Sequence, residues 1–187
     1  MKSIHEKQEG NGPDVEWPYP LRYDEVNEVE TDVLILGGGM AGCFAAIEAA
    51  RKGVKVAIVD KASIIRSGSG GAGVDHWHGV CDHPAGKITA DEMLKDVTLT
   101  DYGQTVEFGL GPSAYILFKE SYDTLMDMEK MGLQIRDVND DFTGAEFRDE
   151  ETKLLYAYDY EAKNCVRFMG APAKPVLYNT LKKLGVK

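Results

Sequence analysis

The chain has 187 residues, 43% hydrophobic and 28% charged, with 20 glycines and 9% aromatics; this is enough apolar material for one core of usual domain size and excludes a disordered, collagen-like or disulfide-framed polypeptide. Lys and Arg number 21 against 31 Asp and Glu, a net charge of −10, and without a basic patch to displace counterions there is no case for a nucleic-acid partner. No run approaches the roughly 18–20 apolar residues that cross a bilayer, and the polar opening Met1–Pro20 holds no apolar signal core, so direct membrane insertion is not expected and a cytoplasmic chain is.

Residues 1–30 mix Pro13, Pro18 and Pro20 with Gly10, Gly12 and many charges, show no period of strand or helix, and read as an amino-terminal arm. Trp17, Tyr19 and Tyr23 suggest that its later half docks on a surface. From Thr31 the pattern changes: Val33–Leu36 is a continuous apolar run ending in three glycines, as in a strand buried on both faces of a parallel sheet. Met40 to Lys52 reads as an alanine-rich helix, with Phe44, Ile47 and Ala50 toward the sheet and Gly53 past its end. Val54 to Val59 is a second buried strand closing on Asp60. The β-α-β unit fills about thirty residues, the size of a right-handed crossover.

Lys61 to Gly73 is rich in Gly and Ser and suits no regular element. Thr89 and Glu92 form a capping-box pattern that opens a helix over 90–99. Gly111-Pro112 starts the longest helix, whose Tyr115, Phe118, Tyr122, Leu125, Met126 and Met131 recur near helical spacing until Gly132. Asp137–Glu151 holds seven acidic residues in fifteen. Its opening Asp137-x-Asn139-x-Asp141 looks like a calcium loop, but Phe142 and Arg148 stand where a glycine and a bidentate glutamate are required. A solvated acidic hairpin or loop is expected instead, with Lys153–Tyr160 one strand of an irregular β insertion around 133–160. Pro175–Leu184 reads as a last helix with Val176, Leu177, Leu181 and Leu184 inward, after which a further strand is expected to begin.

Gly37-Gly38-Gly39-Met40-Ala41-Gly42 satisfies G-x-G-x-x-G, and its context strengthens it: it follows a strand, opens a helix and is completed by Asp60, eighteen residues beyond Gly42 at the end of the second strand. In such a fingerprint Gly37 permits the turn, Gly39 lets the backbone approach a pyrophosphate, and Gly42 allows close packing of helix on strand. The anion then sits on unpaired N–H groups at the helix start. Asp60 accepts from the ribose hydroxyls and repels a 2′-phosphate, with Lys61 beside it tempering that repulsion. FAD and NAD share this ADP moiety, so the fingerprint leaves them undistinguished.

The next segment distinguishes them. Lys61-Ala62-Ser63-Ile64-Ile65-Arg66-Ser67-Gly68-Ser69-Gly70-Gly71-Ala72-Gly73 resembles the loop after the second strand in the fumarate reductase and succinate dehydrogenase flavoprotein superfamily, which includes L-aspartate oxidase and the alpha subunit of adenylylsulfate reductase. The match is good over about residues 31–74 and only general in layout beyond. The resemblance implies an α/β, Rossmann-like FAD-binding domain with a central parallel sheet and a glutathione-reductase-like β-α-β start, incomplete in this chain and occupying 31–187. It implies that Gly37, Gly39, Met40, Ala41 and Gly42 hold the FAD pyrophosphate and Asp60 the ribose. Lys61, Ser67, Gly68, Ser69, Gly71, Ala72 and Gly73 then line the rest of the cofactor. Membrane-complex members carry a covalent flavin on a histidine after the Arg-Ser pair; here that position is Gly68, so noncovalent FAD is expected.

His76, His78, Cys81 and His83 lie within eight residues. A zinc site is one reading, although the spacing matches no common zinc pattern. A flavin-edge or substrate-edge proton role for His76 or His78 is another, and hydrogen-bonded structural histidines a third. No metal is assigned. Trp77 is read as filling space. The odd cysteine count, Cys43, Cys81 and Cys165, fits a reducing compartment, and none has an activating neighbour in sequence. The arginines and histidine that bind dicarboxylate in the fumarate reductase branch are expected downstream of this chain, which reads as cut short; Arg136, Arg148 and Arg167 carry no mark of a substrate clamp.

The expectation is therefore an FAD-dependent oxidoreductase, or its amino-terminal portion, passing a hydride or electron pair to or from a small acidic or oxyanionic molecule. The resemblance implies an iron–sulfur or other electron-transfer subunit as partner. The competing reading is a non-catalytic dinucleotide-binding module acting through a partner chain. An NAD-dependent dehydrogenase is disfavoured by the Ser67–Gly73 loop.

Overall fold

Strand β1 (Val33–Leu36) is the first regular element of the unit Thr31–Lys187, which follows a separate unit, Met1–Glu30. The computed structural model describes residues 26–99, 111–158, 160–170 and 172–187. The expected arm, with Trp17, Tyr19 and Tyr23, lies outside the described residues apart from 26–30, which form no regular element.

β1 pairs in parallel with β2 (Val56–Val59), in register from Val33 opposite Val56 to Leu36 opposite Val59. Helix α1 (Met40–Arg51) makes the crossover; Cys43, Ala46 and Ile47 are its fully buried residues, and Phe44 and Ala50 pack against the same core. Val33, Ile35 and Ile58 add their inward faces. The expectation that β1 is buried on both faces is not met: Leu34 and Leu36 are 56% and 79% exposed and Val59 57%. Alternate side chains of a strand point to opposite faces; among the described residues α1 and the last helix share one core with the inward set, and nothing covers the outward set.

The ribbon 61–73 is more regular than expected, with two 3-10 turns, Ile64–Arg66 and Ser69–Ala72. β3 (His76–His78) then pairs antiparallel with β4 (Cys165–Arg167), His76 opposite Arg167. Helix α2 (Ala90–Leu99) opens on the expected capping box: Glu92 N–H donates to the Thr89 hydroxyl at 3.2 Å, and Glu92 Oε2 accepts from Thr89 N–H at 2.9 Å. α2 packs on α3 (Gly111–Met131), which buries Leu125 and Met128 and ends at Gly132.

The acidic segment corrects two expectations. It is not simply solvated, because Asp137 and Arg148 are buried and bonded to each other at 2.8 Å. Asp137 also accepts from the N–H groups of Asp141 (2.9 Å) and Phe142 (3.0 Å), and Arg148 reaches out to Asp140 and Glu150. The described residues of 153–160 make isolated bridges from Leu154, Leu155 and Tyr156 rather than a strand. Lys153 and Tyr158 sit at positive φ, 59° and 64°, and interrupt the pleat.

α4 (Ala173–Lys183) packs on α1 and α3 with Val176, Leu177 and Leu181 inward. Leu184, expected inward, is 38% exposed because it caps the helix beyond the last buried turn. Lys187 then lies along β2: its N–H donates to Val56 O at 3.1 Å, and Ile58 N–H donates to Lys187 O at 2.8 Å. These two bonds bracket Ala57 as parallel neighbours do.

Candidate dinucleotide-binding site

The turn between β1 and α1 is built from its backbone donors. Gly37 N–H donates to Val59 O at 2.8 Å and carries the ladder one residue past the strands. Gly38 is buried, with its N–H on the Asp60 carboxylate. Gly39 is the N-cap, and the first helical bond runs from Cys43 N–H to Gly39 O at 3.0 Å. The N–H groups of Met40, Ala41 and Gly42 therefore have no partner within the helix, and no acidic side chain stands in its first turn. A Cβ on Gly42 would lie 1.9 Å from Gly37 O, so only hydrogen is admitted where the helix crosses the turn.

Asp60 is fastened to this turn from the end of β2. Its carboxyl is held below the ordinary carboxylate range first by the Gly38 N–H, then by the Ala62 N–H at 2.9 Å and the Ser67 hydroxyl. Each oxygen keeps lone-pair capacity for another donor. The following ribbon folds back on the turn. A Cβ on Gly68 would lie 2.9 Å from Gly39 Cα, at a φ of 71° that disfavours any side chain. Ser67 is buried, its hydroxyl also lying 3.2 Å from Ser63 O, and Gly70 rests on the Met40 side chain. Gly37, Gly39, Met40, Gly42, Asp60, Ser67 and Gly68 thus converge, with Gly71 buried in the second turn. Ala41, Lys61, Ser69 and Gly73 lie exposed around them.

Sequence reasoning missed Lys174. Lys174 is 1% exposed; its ammonium donates to Gly38 O and lies 3.3 Å from Cys43 Sγ. A signal existed, since Lys174, Leu177 and Leu181 share one helical stripe and the latter two are buried.

The His and Cys cluster does not gather. His76 Nδ1 pairs with Asp75 at 2.7 Å, and its ring meets Tyr158 edge-on at 5.0 Å. His83 is buried between Tyr122 and Tyr156 and donates from Nε2 to Lys163 O at 2.8 Å; burial pulls its pKa down. Cys81 and Cys165 are buried thiols, each pushed up to about 11 by desolvation, which removes them as nucleophiles. Among the described residues no three of His, Cys, Asp or Glu come together as metal ligands. Trp77 packs on Phe44 of α1, centroids 6.5 Å apart. His76, Trp77 and His78 line one side of an open cleft of about 390 Å³ whose other side is Ile116, Leu117 and Glu120 of α3.

Residues 32–163 match the family model described as FAD dependent oxidoreductase. Among solved structures, adenylylsulfate reductase from Archaeoglobus fulgidus is similar at 27% identity and a TM-score of 0.57, over 83% of this chain and 22% of that one. Adenosine-5-phosphosulfate reductase in complex with sulfite, as a covalent adduct, gives the same identity, score and coverage. The chain thus spans about a fifth of the length of those structures. No curated protein matches. The residues present fit the ADP half of the cofactor: a helix start with free N–H groups, a turn too tight for side chains, and an ionised carboxylate at the next strand end. With a partial Rossmann-like domain carrying that fit, and more than half of its length matched by the family, this chain belongs to the FAD-dependent oxidoreductases.

Proposed function

We propose that the chain is the FAD-holding, amino-terminal portion of an oxidoreductase of the fumarate reductase and succinate dehydrogenase flavoprotein branch. In this reading it holds FAD noncovalently and serves electron-pair exchange with a small acidic or oxyanionic substrate. The observation that carries it is the backbone contact of Gly68 with Gly39, which joins the ribbon named from the resemblance to the dinucleotide turn. The likeness to structures of adenylylsulfate reductase, one of them in complex with sulfite, favours a substrate of that chemistry.

Gly37, Gly39, Met40, Ala41 and Gly42 hold the diphosphate through main-chain N–H groups. Asp60 accepts from the adenosine ribose, and its bonds from Gly38 N–H in the turn and Ala62 N–H just after the strand keep it ionised and oriented for that task. Lys61, Ser67, Gly68, Ser69, Gly71, Ala72 and Gly73 line the remainder, where small residues permit close approach. The bound cofactor supplies a ring that accepts or gives a hydride at N5. His76, with Nδ1 engaged by Asp75, keeps Nε2 as its exchangeable position, and His76 and His78 are the candidates for moving a proton at the cleft with α3. Electrons leave through an iron–sulfur or other electron-transfer subunit.

The 187-residue chain, purified and mixed with FAD, is expected to retain one flavin per chain through gel filtration and to release all colour on acid precipitation. Yellow colour on the precipitated polypeptide overturns the noncovalent assignment, and failure to retain flavin overturns the site. A non-catalytic module acting through a partner chain is the second reading, favoured by the short span against the reductases. It predicts bound flavin that sulfite leaves unbleached when oxidised and that adenylylsulfate leaves unoxidised when reduced.

A further inference from the structure

Lysine is rarely buried, and a buried ammonium is ordinarily paired with a carboxylate. Lys174 breaks that pattern. It occupies an inward position of α4 among Val176, Leu177 and Leu181, yet its Nζ ends on the Gly38 carbonyl and beside the Cys43 thiol, with no carboxylate in direct contact among the described residues. The carboxylate that senses its charge is Asp60, whose own oxygens are turned to the N–H groups of Gly38 and Ala62. Gly38 is thus gripped at both ends, its N–H by Asp60 and its C=O by Lys174. A planar trans peptide points C=O and N–H in opposite directions. A Gly38 carbonyl drawn toward Lys174 of α4 therefore turns the Gly39 N–H away from that lysine.

We propose that Lys174 is a positioning residue for the dinucleotide: it fixes the Gly38–Gly39 peptide so that its N–H meets the diphosphate, and it supplies a buried positive charge behind the turn that the diphosphate partly neutralises. The inference rests on the glycine turn being the diphosphate site. A structural tether alone needs no charge, because a methionine of similar length fills the same space between α1, α4 and the second 3-10 turn. A charge placed for an anion discriminates ligands by their phosphates.

The test compares ADP with adenosine, and FAD in parallel, by equilibrium binding to the wild-type chain, Lys174→Met and Lys174→Gln. The expected result is a loss of about tenfold or more for ADP and FAD in both variants, with adenosine changed by less than about twofold. Equal losses for ADP and adenosine, or none for either, overturn the proposal. Should the variants not fold, the side-chain nitrogen resonance of Lys174 in the wild-type chain decides: it is expected to move on adding ADP and not on adding adenosine, and no movement with ADP overturns the role. Wild-type protein that binds neither FAD nor ADP overturns the diphosphate assignment itself, an outcome distinct from binding that ignores Lys174.

Discussion

At Gly42 a hydrogen atom is all that separates the first turn of α1 from the Gly37 carbonyl, since a Cβ would come within 1.9 Å of that oxygen. Alanine is otherwise the best helix former, so Gly42→Ala isolates the steric conflict. It is expected to destabilise the chain by about 1–3 kcal/mol, as overpacking does, and to weaken FAD binding by distorting the turn; urea melts and flavin titration check both. Gly42 and Asp60 were legible in the sequence because a turn and the next strand end lie at a fixed chain distance in any β-α-β unit. Lys174 was not, because its partner Gly38 is 136 residues away and only the packing of α4 on α1 brings them together. His83 shows the reverse case: its place beside Cys81 and two other histidines in sequence left metal, proton-transfer and structural readings open, and in the fold it is buried against two tyrosines.

Among the elements, helices were the most legible. The α2 boundary follows from local chemistry, with Thr89 and Glu92 satisfying each other and the first N–H groups of the helix. Thr89→Ala is expected to cost about 1 kcal/mol, the usual worth of an N-cap, read as a lower urea midpoint with an unchanged slope. The strands were read less well. β3 and β4 are three residues each, too short for a period, and pair across more than ninety residues of chain, His76 with Arg167. The acidic stretch 137–151 looked like solvent-facing charge because composition cannot reveal that its single arginine, Arg148, turns inward and gathers Asp137, Asp140 and Glu150 around itself.

For the molecule as a whole, the buried and bonded titratable groups set the acid limit of stability. Burial works to raise the Asp149 carboxyl, but the Thr152 N–H, the Lys163 ammonium and the Thr152 hydroxyl outweigh it and hold the group down to about 2. A carboxyl depressed below its unfolded value of 3.8 contributes stability that is complete above that pH and is lost as pH falls toward about 2. The contribution is on the order of 2 kcal/mol. His83 adds an earlier loss. Its folded pKa lies below the unfolded 6.5 because burial disfavours the imidazolium, so protonation of the unfolded chain draws stability away as pH drops below that value. Thermal melts across pH are expected to fall first below about 6.5 and steeply below about 4, with the lower limb flattened in Asp149→Asn. The sequence by itself determined the β-α-β crossover, the glycine turn and the acidic residue at the end of the next strand, because these depend on neighbours along one chain segment and on glycine positions such as Gly42 that admit no side chain. Only the tertiary structure decided which charges are buried, that the ribbon at Gly68 touches the turn at Gly39, and that a lysine of the last helix stands behind both, because such contacts arise from packing between segments that share no local code.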